Sequence, residues 1–289
     1  MLKKNSITAC TQVFCIIGHP IEHTMSPVMH NAAIQDLGLN SVYLAFDVLP
    51  NRLKTAIKGM KALDIRGINV TMPYKQRILK FIDELDPLAE KIGAVNTIKN
   101  EDSILIGRNT DATGGKNAIL NAGFELSGKN ILILGGGGAA RALSFVLADE
   151  VNKIVIINRT IKRALKLAIE LQKYSGINVI AKHLNFDILK EEIKNIDLLI
   201  NTTPIGMYPK IDESPIPAEL LHKDLFLFDI IYNPLKTKLM HDALENGCKV
   251  IGGLDMLISQ GALAFEWWTN KKPNLELMKN TVIKHLKSS

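Results

Sequence analysis

Short apolar runs alternate along the chain with longer segments in which apolar residues recur every three or four positions. In the first half the apolar runs are rich in β-branched and aromatic residues, which is typical of strands. The predicted strands are 13–18 (VFCIIG), 42–48 (VYLAFDV) and 67–71 (GINVT). Helices are predicted at 27–38 and 51–64, the first because Pro27 follows Ser26 as at many helix starts. This alternation predicts βαβ units and a mostly parallel sheet.

The second half repeats the alternation with near-continuous apolar runs, which are typical of strands buried on both faces. The predicted strands are 131–135, 154–158, 197–201, 225–230 and 249–253. The predicted helices are 139–149, 161–174, 236–246, 254–268 and 274–287. The pattern therefore gives two α/β halves with a boundary near 111–118. Periodicity leaves open whether the last two helices cover the second sheet or return to the first.

Length and composition agree with this organisation. A chain of 289 residues, 47% hydrophobic and 22% charged, has the composition of a globular protein of about two domains. No apolar stretch approaches the roughly 18 residues that a membrane span needs. The N-terminal segment is MLKKNSITACTQVFCIIGHP, and its apolar run before Gly18 is shorter than the apolar core of a signal peptide. We therefore expect a cytoplasmic protein with no membrane partner.

The net charge and the cysteine pattern limit which ligands and metal sites are expected. The net charge is +6, and the lysines are scattered rather than clustered, so we expect an anionic small-molecule substrate rather than a nucleic acid. The three cysteines show no metal-ligand spacing. They are predicted to be buried reduced thiols, and no metal site is expected. The sequence leaves open whether the protein is a monomer or a homodimer.

A glycine loop follows the strand predicted at 131–135 and precedes a helix. The run Gly135-Gly136-Gly137-Gly138-Ala139-Ala140 fits the pattern GxGxxA in the strand–loop–helix context of a dinucleotide site. Backbone N–H groups of such a loop, with the helix N-terminus, favour a pyrophosphate. The alternative is a glycine-rich tight turn without a ligand.

The end of the next strand predicts which dinucleotide is bound. An NAD site usually has an acidic residue there for the ribose hydroxyl. This chain has Asn158, Arg159 and Thr160, followed by Arg163, and no acid. Because guanidinium groups bind phosphate through charge-assisted hydrogen bonds, the segment predicts a 2′-phosphate and therefore NADP. The alternative is that both arginines are solvated residues at a helix start.

Polar residues also cluster where the strands of the first half end. In open parallel sheets, ligands bind beyond the carboxyl ends of strands, so these residues could share one pocket. Each also has a purely structural alternative: Ser26 or Asp111 could cap a helix, Thr71 or Asn96 could belong to a turn, and Lys75 could be an exposed first-turn lysine. Their segments, in chain order, are HTMSPVMHN, NVTMPYK, GAVNT and GRNTD.

These segments resemble the shikimate dehydrogenase family nearly end to end. The resemblance continues in the second half through GGGGAAR, NRTIKR, NTTPIGM, IYNPLKT and GGLDMLISQGA. It implies reversible NADPH-linked reduction of 3-dehydroshikimate to shikimate, in the pathway to chorismate and the aromatic amino acids. It also implies a cleft between two domains: a substrate-binding domain of residues 1–111 completed by 253–289, and a Rossmann-type NADP domain of residues 112–252.

The resemblance assigns roles to individual positions. Lys75 and Asp111 match the catalytic pair. The substrate-binding positions implied are Thr24, Ser26, Thr71, Lys75, Asn96, Asp111, Tyr232 and Gln260. The cofactor-binding positions implied are Gly135, Gly136, Gly137, Gly138, Ala139, Asn158, Arg159, Thr160, Arg163, Ile230 and Gly253.

Two departures and two alternatives accompany this assignment. Thr24 stands where the family usually has serine, and the glycine loop reads GGGG where GAGG is more common. One alternative is a dual quinate/shikimate dehydrogenase, although such enzymes often prefer NAD and carry the acid that this chain lacks. The other is a non-catalytic NADP-binding sensor, for which loss of Lys75 or Asp111 would be the sign; both are present.

Overall fold

The computed structural model describes residues 7–288. The first six residues of the N-terminal segment, in which no signal peptide is expected, lie outside the described residues. The chain forms two compact units. The first contains the described residues through Thr110 together with those from Ile258 onward. The second is Asp111–Leu257.

The first unit is built on a six-stranded sheet. Its strands are β1 (Gln12–Gly18), β2 (Ser41–Asp47), β3 (Gly67–Val70), β4 (Glu84–Leu85), β5 (Thr97–Glu101) and β6 (Ile104–Arg108), in the order β2-β1-β3-β5-β6-β4. β5 runs antiparallel to both of its neighbours, and the other pairs are parallel. The carboxyl ends of β1 and β3 therefore lie side by side, which is where the polar segments predicted from the sequence begin.

Ten α-helices flank the strands of the two units among the described residues. They are α1 (Ser26–Asp36), α2 (Leu53–Ala62), α3 (Pro87–Ile92), α4 (Thr110–Asn121), α5 (Gly138–Leu147), α6 (Ile161–Ser175), α7 (Phe186–Glu192), α8 (Lys238–Glu245), α9 (Gly253–Thr269) and α10 (Leu275–Ser288). α4 and α9 each contain a boundary between the units.

The C-terminal helices return to the first sheet. Trp268 of α9 stacks on Phe14 of β1, with 5.3 Å between ring centroids. Its indole nitrogen donates a hydrogen bond of 2.9 Å to the carbonyl of Ile98. A Cβ at Gly67 would lie 2.5 Å from the Trp268 ring, so this strand needs a residue without a side chain there. This packing decides the question that periodicity left open.

The second unit is a doubly wound parallel sheet. Its strands are β7 (Asn130–Leu134), β8 (Lys153–Asn158), β9 (Asn178–His183), β10 (Leu198–Asn201), β11 (Phe226–Asp229) and β12 (Lys249–Gly252), in the order β12-β11-β10-β7-β8-β9. All five strand pairs are parallel. The direction of winding reverses between β7 and β10. That switch point, at the carboxyl ends of the strands, is where such sheets bind ligands.

The cysteines are all free, but they are not all buried. Cys15 and Cys248 are buried, and burial raises the pKa of each thiol. Cys10 is exposed because it lies in the turn that precedes β1. The predicted burial is therefore wrong for Cys10.

No helix among residues 7–288 has the length and apolarity needed to cross a membrane. In the same residues, no group of three or more histidine, cysteine, aspartate or glutamate side chains is placed to hold a metal ion.

Candidate active site

A pair of hydroxyl groups lies at the N-terminus of α1, just beyond the carboxyl end of β1. The Thr24 hydroxyl donates to the Ser26 hydroxyl at 3.3 Å, and the Ser26 backbone N–H donates to Thr24 Oγ1 at the same distance. The N-cap of α1 is Met25, and no side chain caps the helix. Ser26 is therefore not the cap. The open helix end and the two hydroxyls together suit an anion such as a carboxylate.

Thr71 and Lys75 follow β3 in one turn. The Thr71 methyl group lies 2.5 Å from the place of a Cβ on Gly18, which puts Thr71 against the end of β1. Tyr74 anchors the turn, because its ring is fully buried and its hydroxyl donates to the carbonyl of Val48. The carbonyl of Lys75 accepts a 2.8 Å hydrogen bond from Val95 N–H. The backbone of Lys75 is thus fixed, and its side chain is half-buried.

Asn96 lies at the centre of a buried polar cluster in the same unit. Its side-chain oxygen accepts a 2.7 Å hydrogen bond from the backbone N–H of Thr110. Its side-chain nitrogen donates to Thr110 Oγ1 at 3.0 Å and to Gln260 Oε1 at 3.4 Å. The structure therefore brings together two predicted substrate residues, Asn96 and Gln260, that are far apart in the chain.

Asp111 is buried in the first turn of α4 and belongs to the second unit. It directly follows Thr110, whose hydrogen bond to Asn96 fixes the backbone at the start of the helix. α4 begins at Thr110 rather than after Asp111, so Asp111 does not cap it. The pairing of Lys75 with Asp111 stays a prediction.

The glycine loop connects β7 to α5 at the switch point of the second sheet. Gly135 has φ +119°, which only glycine adopts readily, and a Cβ there would lie 2.3 Å from the Thr202 hydroxyl oxygen. A Cβ at Gly137 would meet nothing within 4 Å. Gly137 is the N-cap of α5 and makes no side-chain cap. The backbone N–H groups at this helix end are consequently open to a phosphate.

The second cofactor segment lies against this loop. The position of a Cβ on Gly136 is 3.3 Å from the amide nitrogen of Asn158 and 3.1 Å from Cβ of Arg163. Arg159, Thr160 and Arg163 are exposed. Within residues 7–288, neither arginine makes an ion pair. Two exposed arginines without ion pairs, on a segment that lies against the glycine loop, fit a dinucleotide with an extra phosphate.

A third part of the second unit lies at the ends of β11 and β12. A Cβ on Gly253 would lie 2.0 Å from the Ile230 carbonyl oxygen, so glycine is required where these segments meet. Tyr232 follows two residues later in the same loop and is half-buried. Ile230 and Gly253, which are both predicted to bind the cofactor, are therefore in contact with each other.

The carboxylate of Asp229, which precedes Ile230, is buried and was not among the predicted site residues. Asp229 Oδ1 accepts from Asn201 Nδ2 at 3.1 Å and from Ile231 N–H at 3.2 Å, and Oδ2 accepts from the Thr237 hydroxyl at 2.7 Å. Burial raises the pKa of Asp229 to about 6, although these three hydrogen bonds favour the ionised form. Two of its partners, Asn201 and Thr237, lie in the segments NTTPIGM and IYNPLKT that carry the family resemblance. Those segments were therefore the sequence signal that could have pointed to this cluster.

Three family models match consecutive parts of the chain. The shikimate dehydrogenase substrate binding domain matches residues 16–98, shikimate / quinate 5-dehydrogenase matches 117–234, and the shikimate 5'-dehydrogenase C-terminal domain matches 253–283. The chain belongs to the shikimate dehydrogenase family.

Individual members of the shikimate dehydrogenase family match almost the whole chain. The shikimate dehydrogenase (NADP(+)) of Methanocaldococcus jannaschii is 50% identical over 278 residues, which cover 96% of this chain and 98% of the relative. A crystal structure of a shikimate dehydrogenase in complex with NADP+ has a TM-score of 0.91 and 48% identity, covering 98% of both chains. The Thermus thermophilus enzyme in complex with NADP(H) and shikimate has a TM-score of 0.84 and 36% identity, covering 95% of this chain and 99% of that one.

Proposed function

We propose that this protein is an NADP-dependent shikimate dehydrogenase, which reduces 3-dehydroshikimate to shikimate and catalyses the reverse oxidation. The observation that carries the proposal is that the chain belongs to this family over nearly its whole length and keeps both Lys75 and Asp111. The activity makes the protein an oxidoreductase acting on a CH–OH group, in chorismate and aromatic amino-acid biosynthesis.

The substrate carboxylate binds at the hydroxyl pair of Thr24 and Ser26. Two hydroxyl donors and the open N-terminus of α1 support this assignment, because each favours a negative charge. Thr71, Asn96, Tyr232 and Gln260 contact the rest of the substrate. Amide and hydroxyl side chains suit a ring that carries several hydroxyl groups, since each can donate or accept.

Lys75 transfers the proton that must reach or leave the substrate oxygen. It is the general acid in reduction and the general base in oxidation, and Asp111 orients its ammonium group. The fixed backbone of the turn after β3 supports this role, because proton transfer needs a positioned group. Bound NADPH supplies the hydride chemistry.

NADP is held by the second unit. The residues of the glycine loop, Gly135 to Ala139, contact the pyrophosphate through their backbone N–H groups, and Asn158, Arg159, Thr160 and Arg163 surround the 2′-phosphate. Ile230 and Gly253 contact the nicotinamide end. The close approach of Gly136 to Asn158 and Arg163 supports a continuous binding surface for the dinucleotide.

A dual quinate/shikimate dehydrogenase is the alternative that one observation favours. The family model matching residues 117–234 carries both substrates in its description. Against it, the cofactor segment has two arginines and lacks the acid of NAD-preferring enzymes. The non-catalytic sensor is disfavoured because Lys75 and Asp111 are both present.

The test is the rate of NADP+ reduction with shikimate, measured beside quinate and beside NAD+. We expect turnover with shikimate and NADP+ and much slower reactions in the other three combinations. Equal rates with quinate would favour the dual enzyme. Tight NADP+ binding without turnover on either acid would favour the sensor.

Assembly, domain roles and location are part of the same proposal. We assign substrate binding to residues 1–111 with 253–289, NADP binding to 112–252, and the protein to the cytoplasm.

A homodimer stays a hypothesis. The exposed Leu44 and Phe46 on edge strand β2 support it, because apolar residues on an edge strand are usually covered. Light scattering during size-exclusion chromatography tests the mass in solution.

A further inference from the structure

Asn96 is one member of a chain of buried, hydrogen-bonded side chains in the first unit. We call this chain the Asn96 network; its members are Tyr43, Asn69, Asn96, Thr97 and Thr110. None of the five is more than 6% exposed. They come from β2, β3, β5 and the segments beside it, and the first residue of α4. The antiparallel register of β3 and β5 sets Asn69 opposite Thr97 and so aligns the middle of the network.

Two backbone groups fix the orientation of both amides. Asn69 Nδ2 lies 3.2 Å from the carbonyl of Asn96, which can only accept a hydrogen bond. Asn96 Oδ1 lies 2.7 Å from the N–H of Thr110, which can only donate. Neither amide can be turned over without placing two donors or two acceptors together. The positions of the amide oxygen and nitrogen are therefore determined in both Asn69 and Asn96.

A series of hydrogen bonds leads from Tyr43 through Asn69 and Thr97 to Asn96. The Tyr43 hydroxyl donates to Asn69 Oδ1 at 2.6 Å. Asn69 Nδ2 donates to Thr97 Oγ1 at 3.2 Å. The Thr97 hydroxyl lies 3.1 Å from Asn96 Oδ1 and 3.0 Å from Thr110 Oγ1. Asn96 Oδ1 is held by these groups, and the two N–H groups of Asn96 Nδ2 donate to Thr110 Oγ1 at 3.0 Å and to Gln260 Oε1 at 3.4 Å.

We propose that Thr97 and Tyr43 are positioning residues for substrate binding. Through the network they hold the Asn96 amide so that the N–H with the longer hydrogen bond, to Gln260 Oε1, donates instead to a substrate oxygen, and that oxygen must accept. This inference rests on the proposed contact of Asn96 with the substrate. Neither Thr97 nor Tyr43 touches the substrate, so their effect appears in the affinity for shikimate rather than in proton transfer.

The experiment compares Thr97→Val, Thr97→Ser and Tyr43→Phe in the full-length enzyme. Thr97→Val removes the hydroxyl at similar size, Thr97→Ser keeps it, and Tyr43→Phe removes only the phenol oxygen from a ring that stacks on His30. We expect the KM for shikimate to rise roughly 3- to 10-fold in Thr97→Val, which corresponds to one net hydrogen bond. Tyr43→Phe should raise it less, and Thr97→Ser should restore it to near the wild-type value.

A matched control separates positioning from general destabilisation. Ile98→Val changes the next residue of β5, which is fully buried in the apolar core, and should lower Tm without changing the KM for shikimate. The KM for NADP+ should stay constant in every variant. A Thr97→Val enzyme whose shikimate KM equals that of wild type or of Thr97→Ser would overturn the inference.

Asn96→Ala distinguishes this inference from the proposal beneath it. If Asn96→Ala leaves the shikimate KM unchanged, the contact of Asn96 with the substrate is wrong. If Asn96→Ala raises KM while Thr97→Val does not, the contact stands and the positioning role is wrong. Should Thr97→Val fail to fold, Tyr43→Phe decides: a raised shikimate KM supports the inference, and an unchanged one overturns it.

Discussion

Replacing Asp229 with asparagine should make the stability of the protein depend less on pH. The carboxyl group is buried beside the loop that carries Ile230, and burial raises its pKa from an ordinary 3.8 to about 6. The folded state therefore holds the proton of Asp229 more tightly than the unfolded state does. This contribution to stability is complete below pH 3.8 and is lost as the pH rises through about 6.

The magnitude follows from the difference between the two pKa values. One unit corresponds to about 1.4 kcal/mol, so the ionised carboxylate destabilises the fold by on the order of 3 kcal/mol at neutral pH. Asparagine can keep the hydrogen bonds from Asn201 and Ile231 through its oxygen and can donate to Thr237 through its nitrogen. Asp229→Asn should therefore resemble the protonated form at every pH.

The assay is urea denaturation of wild type and Asp229→Asn between pH 4 and pH 8. We expect the free energy of unfolding of the variant to exceed that of wild type by a margin that widens by about 2 kcal/mol over this range. Thr237→Val provides a second arm. It removes a hydrogen bond that favours the ionised carboxylate, so the pKa of Asp229 should rise further. The loss of stability with increasing pH should then occur at higher pH than in wild type. A margin that stays constant from pH 4 to pH 8 would refute the reasoning.

Three further predictions concern the reaction. Lys75→Ala should lower kcat by roughly 10²- to 10⁴-fold with a smaller change in shikimate KM, and near-normal turnover would remove Lys75 from proton transfer. Arg159→Ala should raise the KM for NADP+ roughly 10-fold or more and leave the NAD+ reaction unchanged, whereas equal losses would count against 2′-phosphate binding. Thr24→Ser should narrow the preference for shikimate over quinate by roughly 10-fold in kcat/KM, because quinate is bulkier at the carboxylate-bearing carbon. An unmoved ratio would mean that the Thr24 methyl points away from the substrate.

The second unit was largely predictable from the apolar pattern. Its central strands are buried on both faces, so they appear in the sequence as runs such as ILIL and IVII. Edge strand β9 was missed because most of its residues are only partly buried, and NVIAKH shows no comparable run. Strands buried on both faces could therefore be predicted from the sequence, whereas a partly exposed edge strand could not.

The β5–β6 hairpin of the first unit was not predicted. β5 reads TIKNE, and its turn places Asp102 and Ser103 at φ +49° and +71° without a glycine. α3 was also missed, although its ends carry signals: Asp86 caps it, Pro87 begins it, and Gly93 ends it in the left-handed conformation. A six-residue helix is too short to show periodicity, so only its caps could have revealed it.

The sequence predicts which residues form the candidate site, and their roles stay predictions, but it does not predict the contacts between them. The strand–loop–helix context identified the glycine loop, and the missing acid identified the cofactor. In contrast, the network around Asn96 depends on Asn69 facing Thr97 across two antiparallel strands. The hydrogen bonds of Asp229 depend on the parallel pairing of β10 with β11 and on the start of α8 at Thr237. Such contacts are set by strand register between distant segments, which the local pattern does not contain.

The central claim is that the protein transfers a hydride between NADP and the substrate. The most direct measurement uses NADPH carrying deuterium at the transferable position, with 3-dehydroshikimate as the acceptor and mass spectrometry of the product. We expect shikimate that contains one deuterium atom at the newly formed carbinol carbon. Unlabelled NADPH should give shikimate without deuterium, and replacing 3-dehydroshikimate with the keto acid of quinate should give labelled product much more slowly. Binding of both compounds without labelled shikimate would contradict the central claim.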